Sequence, residues 1–477
     1  MQNILLGPPG TGKTTTLLSL VDEQFQKGIE PNRIGFFSFT TKAANEAVER
    51  ACTKFKLKPT DLPYFKTVHS LAFNWLGMST QGVLNRKHYR QIFDLLGIEY
   101  TGKAIDEDDT NSGSGATLGD KILFIQNLSK AKMRPLKDEW EESDFNEEVL
   151  WDELERFQRT LDDYKAAHGL IDFNDMLEMF IEHPGHKPIF DAIFVDEAQD
   201  LSKLQWSALD KILPTCPTVY IAGDDDQAIF RWAGADVDHF ISLEGNARVL
   251  NKSYRLRKNV HSICHGIISQ VDNRRQKEFN PREDGGYVEY ISDCSDIDMS
   301  SGTWLLLARN SYLLRAYEDI CLSSGYSYSG RNSPLESDEL KAIRAYENWR
   351  KGNMPSDSER KLILKFSRTL PDKPSIIWHE QLTKMDVKLR EYFIAALRRG
   401  ESLTKVPRIR ISTIHGAKGA EADNVVVMSD ISNRCYQALQ LNPDDEHRVA
   451  YVAASRAREN LYVIMPRTSN FYDYSML

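Results

Sequence analysis

The octapeptide Gly7-Pro8-Pro9-Gly10-Thr11-Gly12-Lys13-Thr14 follows the apolar run 4–6 and precedes the helical run 15–21. Strand, glycine-rich turn and helix in that order commit the start of the chain to an α/β sheet with a phosphate-binding loop. Glycines let backbone N–H groups curl around a β-phosphate, and the helix N-terminus adds its partial positive charge. Lys13 is placed to reach the β and γ oxygens, and the Thr14 hydroxyl to ligate Mg²⁺. A nucleoside triphosphate is the expected ligand.

The same alternation continues. Short apolar runs at 34–39, 193–195 and 219–222, and again at 304–308, 409–413, 425–428 and 461–465, read as buried parallel strands. Helical stretches such as 42–50 and 313–323 fall between them, so two α/β sheets with crossover helices are predicted. A chain of 477 residues is long enough for several packed domains. Lys and Arg number 60 against 69 Asp and Glu, a net charge of -9, which excludes nucleic-acid binding by bulk charge and requires any such site to be local. No stretch approaches the roughly 18 unbroken apolar residues of a membrane helix, and the start lacks a leader pattern. A soluble intracellular protein, cytoplasmic or nucleoid-associated and with no membrane partner, is the expectation. The six cysteines are scattered without metal-ligand spacing and read as reduced thiols.

Two stretches break the alternation and read as helical inserts. The first, 76–165, contains the acidic residues Asp106, Glu107, Asp108 and Asp109 and then a Ser/Gly-rich run at 110–115 that reads as a flexible surface loop. Between Thr101 and Lys165 there are 17 acids and 9 bases, which accounts for nearly all of the net charge. The second, 331–407, has 16 bases and 11 acids, with Lys341, Arg344, Arg350 and Lys351 at roughly helical spacing. It reads as a nucleic-acid face or simply as a solvated one.

A metal and an attacking water need carboxylates, and Ile193-Phe194-Val195-Asp196-Glu197-Ala198-Gln199-Asp200 supplies them at the end of a strand. Asp196 is expected to hold Mg²⁺, and Glu197 to orient or deprotonate the water.

With this motif the chain resembles the UvrD/Rep/PcrA-like superfamily 1 DNA helicases. Gly223-Asp224-Asp225-Asp226-Gln227 follows, and further segments come in the family's order: Phe39-Thr40-Thr41-Lys42-Ala43-Ala44, Thr67-Val68-His69-Ser70, Leu170-Ile171-Asp172-Phe173, Ser253-Tyr254-Arg255, Thr413-Ile414-His415-Gly416-Ala417-Lys418-Gly419 and Tyr451-Val452-Ala453-Ala454-Ser455-Arg456-Ala457. The resemblance implies a P-loop NTPase of two RecA-like parallel-sheet domains, each with a mainly helical insert, that uses ATP and Mg²⁺. It places the first domain at 1–75 and 166–250, the second at 251–330 and 408–477, and a reduced basic insert at 331–407. Both inserts are short for the family.

Residue by residue, the resemblance gives Arg255 and Arg456 as arginines that meet the γ-phosphate, beside Lys13, Asp196 and Glu197 in the catalytic set. It makes Gln227 the glutamine that links γ-phosphate to DNA-binding elements. Nucleotide contacts fall on residues Gly7 to Thr14, Thr15, the adenine-stacking Tyr254, and Glu421. Trp232 matches the tryptophan on which a base stacks, with Phe230 beside it. Thr40, Thr67, His69, Thr413 and His415 lie in segments that touch the DNA strand. The implied activity is an ATP-dependent 3′ to 5′ helicase and single-stranded DNA translocase. Its partners would be single-stranded DNA, junctions of single- and double-stranded DNA, and replication or repair proteins. An RNA-directed or translocation-only ATPase that strips proteins uses the same chemistry. A non-catalytic DNA-binding subunit predicts eroded motifs instead, whereas Lys13, Thr14, Asp196, Glu197, Gln227, Arg255 and Arg456 are all present.

Overall fold

The computed structural model describes residues 2–103, 105, 116–282, 285–370 and 372–475. The acidic run 106–109 and the Ser/Gly-rich run 110–115 lie outside the described residues. The chain forms two compact units, one of Met1–Arg255, Gln270–Arg282 and Asn442–Arg448, the other of Leu256–Ser269, Glu283–Leu441 and Val449–Leu477. Residues 251–255, 270–282 and 442–448, which the sequence boundaries give to the second domain, thus pack with the first. Ion pairs hold one of these stretches and a hydrogen bond another: Lys277 and Arg274 bind the carboxylates of residues 224–226, and Arg448 donates to the Asp225 backbone carbonyl.

The first unit is built on a six-stranded sheet of β1 (Gln2–Leu6), β2 (Ile34–Ser38), β3 (Phe65–Thr67), β4 (Ala192–Asp196), β5 (Thr218–Gly223) and β6 (Asn246–Val249), in the order β3-β2-β4-β5-β1-β6 with every pairing parallel. Successive residues point to opposite faces, and the core divides accordingly. Ile4, Phe37, Ile193 and Ile221 pack with Val68, Leu71 and Trp206 on one side. Leu5, Phe36, Phe194 and Ala222 pack with Leu17, Val21 and Ala47 on the other. Burial on both faces is why these strands are unbroken apolar runs.

The first insert folds into the helices Arg86–Leu96, Leu118–Ala131, Leu136–Glu142 and Trp151–His168. They share a core of Phe93, Ile122, Ile125, Phe145, Phe157 and Leu161, in which Phe93 stacks on Phe157 at 4.6 Å.

A short pair, β7 (Lys252–Arg257) and β8 (Asn280–Arg282), follows. The second unit carries another all-parallel sheet of β9 (Tyr287–Ile291), β10 (Trp304–Ala308), β11 (Tyr328–Ser329), β12 (Ile409–Thr413), β13 (Ala422–Met428) and β14 (Ala457–Ile464), in the order β11-β12-β10-β13-β14-β9. Its insert is helical over Asp338–Arg350, Asp357–Phe366, Trp378–Gln381 and Val387–Arg398, around Tyr346, Trp349, Ile363, Phe366, Tyr392 and Phe393. Among the described residues no helix is long and apolar enough to cross a membrane.

Candidate functional site

In a parallel sheet all strand C-termini share one edge, where loops and helix N-termini converge on ligands. In the first unit Gly7 follows β1, Glu197 follows β4 and Asp224 follows β5, while Thr40 lies just past β2 and Thr67 ends β3. Motifs far apart in sequence are therefore gathered by the sheet order.

The loop after β1 is held open by its glycines. Gly10 and Gly12 have φ of 71° and 80°, a region that disfavours other residues, and a Cβ on Gly10 would lie 2.3 Å from the Cβ of Arg255. A Cβ on Gly7 would run into the Lys13 side chain, which folds back to donate to the Gly7 carbonyl at 3.1 Å. Thr11 closes the turn by donating to the Pro8 carbonyl at 2.7 Å. Gly12 then caps the helix Lys13–Gln26. From β7, Ser253 donates to the Pro9 carbonyl at 2.7 Å and the Tyr254 N–H to the Gly10 carbonyl at 2.8 Å, while the Tyr254 side chain remains 70 % exposed. Tyr254 and Arg255 are thereby set beside the loop by backbone contacts.

Opposite Lys13 stand the carboxylates after β4. The Thr14 hydroxyl donates to Asp196 Oδ2 at 2.8 Å, and the Lys13 ammonium lies 3.5 Å from Glu197. Burial first, and then the Glu197 charge, push the Asp196 carboxyl up to about 6, against the pull of Lys13 and of the Thr14 hydrogen bond. A buried carboxylate paired with a hydroxyl is a fitting oxygen donor set for a hard divalent cation, which would relieve that burial. Glu197 itself has φ 52° and ψ 43°, a left-handed backbone uncommon for a residue with a long side chain. Such strain persists where the surroundings impose it, often at reacting centres.

Gln227 donates to Asp224 Oδ2 at 2.6 Å. The three aspartates 224–226 bring their oxygens within 4.8 Å of one another. Lys277, fully buried, occupies their midst at 3.2 Å from Asp224 and 3.1 Å from Asp226, with Asp225 close by. Arg274 adds a hydrogen bond from Nε to Asp226 at 2.7 Å. Burial opposes the charge on Lys277, but the three carboxylates outweigh it and raise its pKa. The cluster is thus an ion-paired buttress under the Gln227 loop. Sequence reading found no partner for these aspartates, since lysines of any role look alike in sequence.

The strand-contact candidates of the first unit lie along the same edge. Thr40 and Thr67 cap the helices Thr41–Phe55 and Val68–Trp75, accepting from Ala43 N at 3.1 Å and Ser70 N at 3.2 Å. Thr67 and His69 line a cleft of about 320 Å³ with Phe39, Phe73, Phe173 and Met176. Phe173 is 60 % exposed at a helix start, and its ring meets His69 edge-on at 6.2 Å. Burial pulls the His69 imidazole down to about 4, so the ring is neutral at ordinary pH. Phe230 lies 6.0 Å from Phe39, and Trp232 is half-buried and nearly parallel to Phe124 of the first insert at 6.1 Å. Phe173 and Phe124 had no assigned role in the sequence; aromatic residues next to an acidic helix cap or within an apolar helix face read equally well as core.

The remaining candidates belong to the second unit. Thr413 ends β12 and accepts from Gly416 N at 3.1 Å, with His415 in the turn that follows. Arg456 is 2 % exposed, between the helix Pro443–Ala454 and β14, and donates to the Val452 carbonyl and to Ser455 Oγ, both at 3.0 Å. Glu421 accepts from Arg458 Nε at 2.9 Å.

Residues 1–248 match the UvrD/REP helicase N-terminal domain, and residues 372–468 the UvrD-like helicase C-terminal domain. The putative ATP-dependent DNA helicase YjcD of Bacillus subtilis is 27 % identical over 301 residues, 59 % of this chain and 38 % of that protein. The ATP-dependent DNA helicase PcrA of Staphylococcus aureus is 24 % identical over 373 residues, 72 % of this chain and 48 % of that one. A probable DNA helicase of Mycoplasma pneumoniae is 22 % identical over 99 % of this chain and 82 % of its own length. The chain spans about half or less of the length of the first two relatives. With both domain matches in order and a phosphate loop, acidic pair and glutamine on one sheet edge, the chain belongs to the UvrD/REP helicase family.

Proposed function

We propose that the chain is an ATP-dependent DNA helicase that steps 3′ to 5′ along single-stranded DNA. The observation that carries the reading is the pairing of Thr14 with Asp196 and of Lys13 with Glu197 in a member of this family. In this reading the loop 7–14 and Lys13 bind the phosphates, and Tyr254 stacks on the base. Thr14 and Asp196 would hold Mg²⁺, which when bound neutralises phosphate charge. Glu197 takes the proton of the attacking water, and Arg255 and Arg456 stabilise the charge on the transferring phosphoryl group. Trp232, Phe230, Thr40, Thr67, His69, Thr413 and His415 grip the strand by stacking and by phosphate contacts. Glu421 is assigned to the nucleotide.

The test is strand displacement from duplexes with a 3′ tail or a 5′ tail, in DNA and in RNA, with and without ATP. Displacement of the 3′-tailed DNA duplex alone is expected. Preference for a 5′ tail overturns the polarity, preference for RNA overturns the substrate, and DNA-stimulated ATP hydrolysis without displacement makes the chain a translocase only. Absence of hydrolysis overturns the whole reading.

A further inference from the structure

Gln199 lies between the acidic pair and the Gln227 loop, with its side chain completely buried. Its Oε1 accepts from the Asp224 N–H at 2.9 Å, and its Nε2 donates to Glu197 Oε2 at 2.6 Å and to Asp200 Oδ2 at 3.2 Å. Its partners fix which way round the amide sits. A backbone N–H only donates and an ionised carboxylate only accepts, so oxygen must face Asp224 and nitrogen must face Glu197. Space for the amide depends on Gly223, where a Cβ would lie 2.8 Å from Gln199 Oε1.

The contacts form one chain. Glu197 is bonded to Gln199, Gln199 to the backbone of Asp224, and the Asp224 carboxylate to Gln227 Nε2 at 2.6 Å. Lys277 pins Asp224 from the other side at 3.2 Å. Glu197, on its left-handed backbone, has its carboxylate located by this amide and by Lys13.

We propose that Gln199 is a positioning residue that sets the Glu197 carboxylate according to the position of the 223–227 loop, so that the water-activating group and Gln227 move as one. The inference rests on the ATPase role given to Glu197 above. A rigid amide bonded at both ends transmits a shift of the loop directly to the carboxylate, and a displacement of about 1 Å is enough to lower a rate about 10²-fold.

The experiment uses the full chain, with steady-state ATP hydrolysis measured with and without oligothymidylate. Rates are normalised to the nucleotide-binding sites counted with a fluorescent ATP analogue, so that any misfolded fraction drops out. Gln199→Leu removes all three bonds, and its kcat is expected to fall about 10²-fold with KM for ATP within about threefold of the wild-type value, the pattern of an interaction needed in the transition state rather than for binding. Gln199→Glu keeps the shape and the acceptor toward Asp224 but loses the donor toward Glu197, and is expected to be as slow. Because one chain of contacts is broken in either place, the Gln199→Leu/Gln227→Leu double variant should be no slower than the slower single variant.

Unchanged kcat in Gln199→Leu, wild-type turnover in Gln199→Glu, or losses that multiply in the double variant would each overturn the proposal. A wild-type chain that fails to hydrolyse ATP overturns the ATPase reading instead.

Discussion

The Lys13 ammonium lies 3.5 Å from the Glu197 carboxylate, so the cation that would meet a γ-phosphate is paired with the group proposed to activate water. ATP must compete with Glu197 for that charge. Glu197→Gln removes the competitor together with the base. The variant should bind ATP more tightly than wild type and turn it over about 10² to 10⁴ times more slowly. Lys13→Ala should lose nucleotide affinity instead. Equilibrium binding and single-turnover hydrolysis separate the two, and weaker ATP binding by Glu197→Gln would contradict the competition.

Trp232 and Phe124 make a graded test of the proposed strand platform. Trp232→Ala should weaken single-strand binding by about 1 to 3 kcal/mol, the range for one stacked base. Phe124→Ala, which removes only the ring packed nearly parallel to Trp232, should lose about 0.5 to 1.5 kcal/mol. Fluorescence anisotropy with oligothymidylate reads both. A larger loss from Phe124→Ala would make Phe124 the platform.

His69 sets a pH dependence. Burial holds its folded pKa near 4, below the ordinary value of 6.5, so between these values the unfolded chain binds more protons than the folded one. Stability from the neutral ring is complete above pH 6.5 and declines as pH falls through 6.5 toward 4, by about 1 to 2 kcal/mol for a ring that is only partly buried beside a cleft. Urea melts at pH 7 and pH 5 should show part of this loss in wild type and a smaller one in His69→Gln. Equal losses would remove His69 as the cause.

Lys277 is the cation of the aspartate cluster. Lys277→Met leaves buried carboxylates without it and should destabilise the chain by about 3 to 5 kcal/mol. Protonation offsets an unpaired carboxylate, so the deficit should shrink as pH falls from 8 to 5. A urea series across that range is the check; a pH-independent deficit would place the loss in packing.

The central strands were legible because burial on both faces forces continuous apolar runs: 304–308 and 409–413 coincide with β10 and β12. The edges were not. β6 exposes most of its residues and β3 is three residues long, so neither leaves an apolar run to read. At the candidate site, Lys13, Thr14, Asp196 and Glu197 stood out because phosphate and metal chemistry would demand those types at fixed spacing, and the fold brings the four side chains together. Lys277 and Arg448 reach the 224–226 segment across some 50 and 220 residues of chain, one to a carboxylate and the other to a backbone carbonyl, and polar contacts over such separations have no periodicity. Gln199 stood in plain view within the acidic motif, but an amide shows its purpose only when its bonded neighbours at both ends are known.

A chain shaped only for durability would not carry glutamate at position 197. The left-handed torsions there cost a long-chain residue about 1 to 2 kcal/mol, and asparagine tolerates them far better. On the proposed role of Glu197 as the water-activating group, replacement by asparagine would relieve the backbone and remove the base, so heat tolerance and turnover would be opposing demands on this one residue. Screens that reward thermal survival alone would then be drawn, on that role, toward inactive chains at this position, and glutamate there would answer to work rather than to endurance.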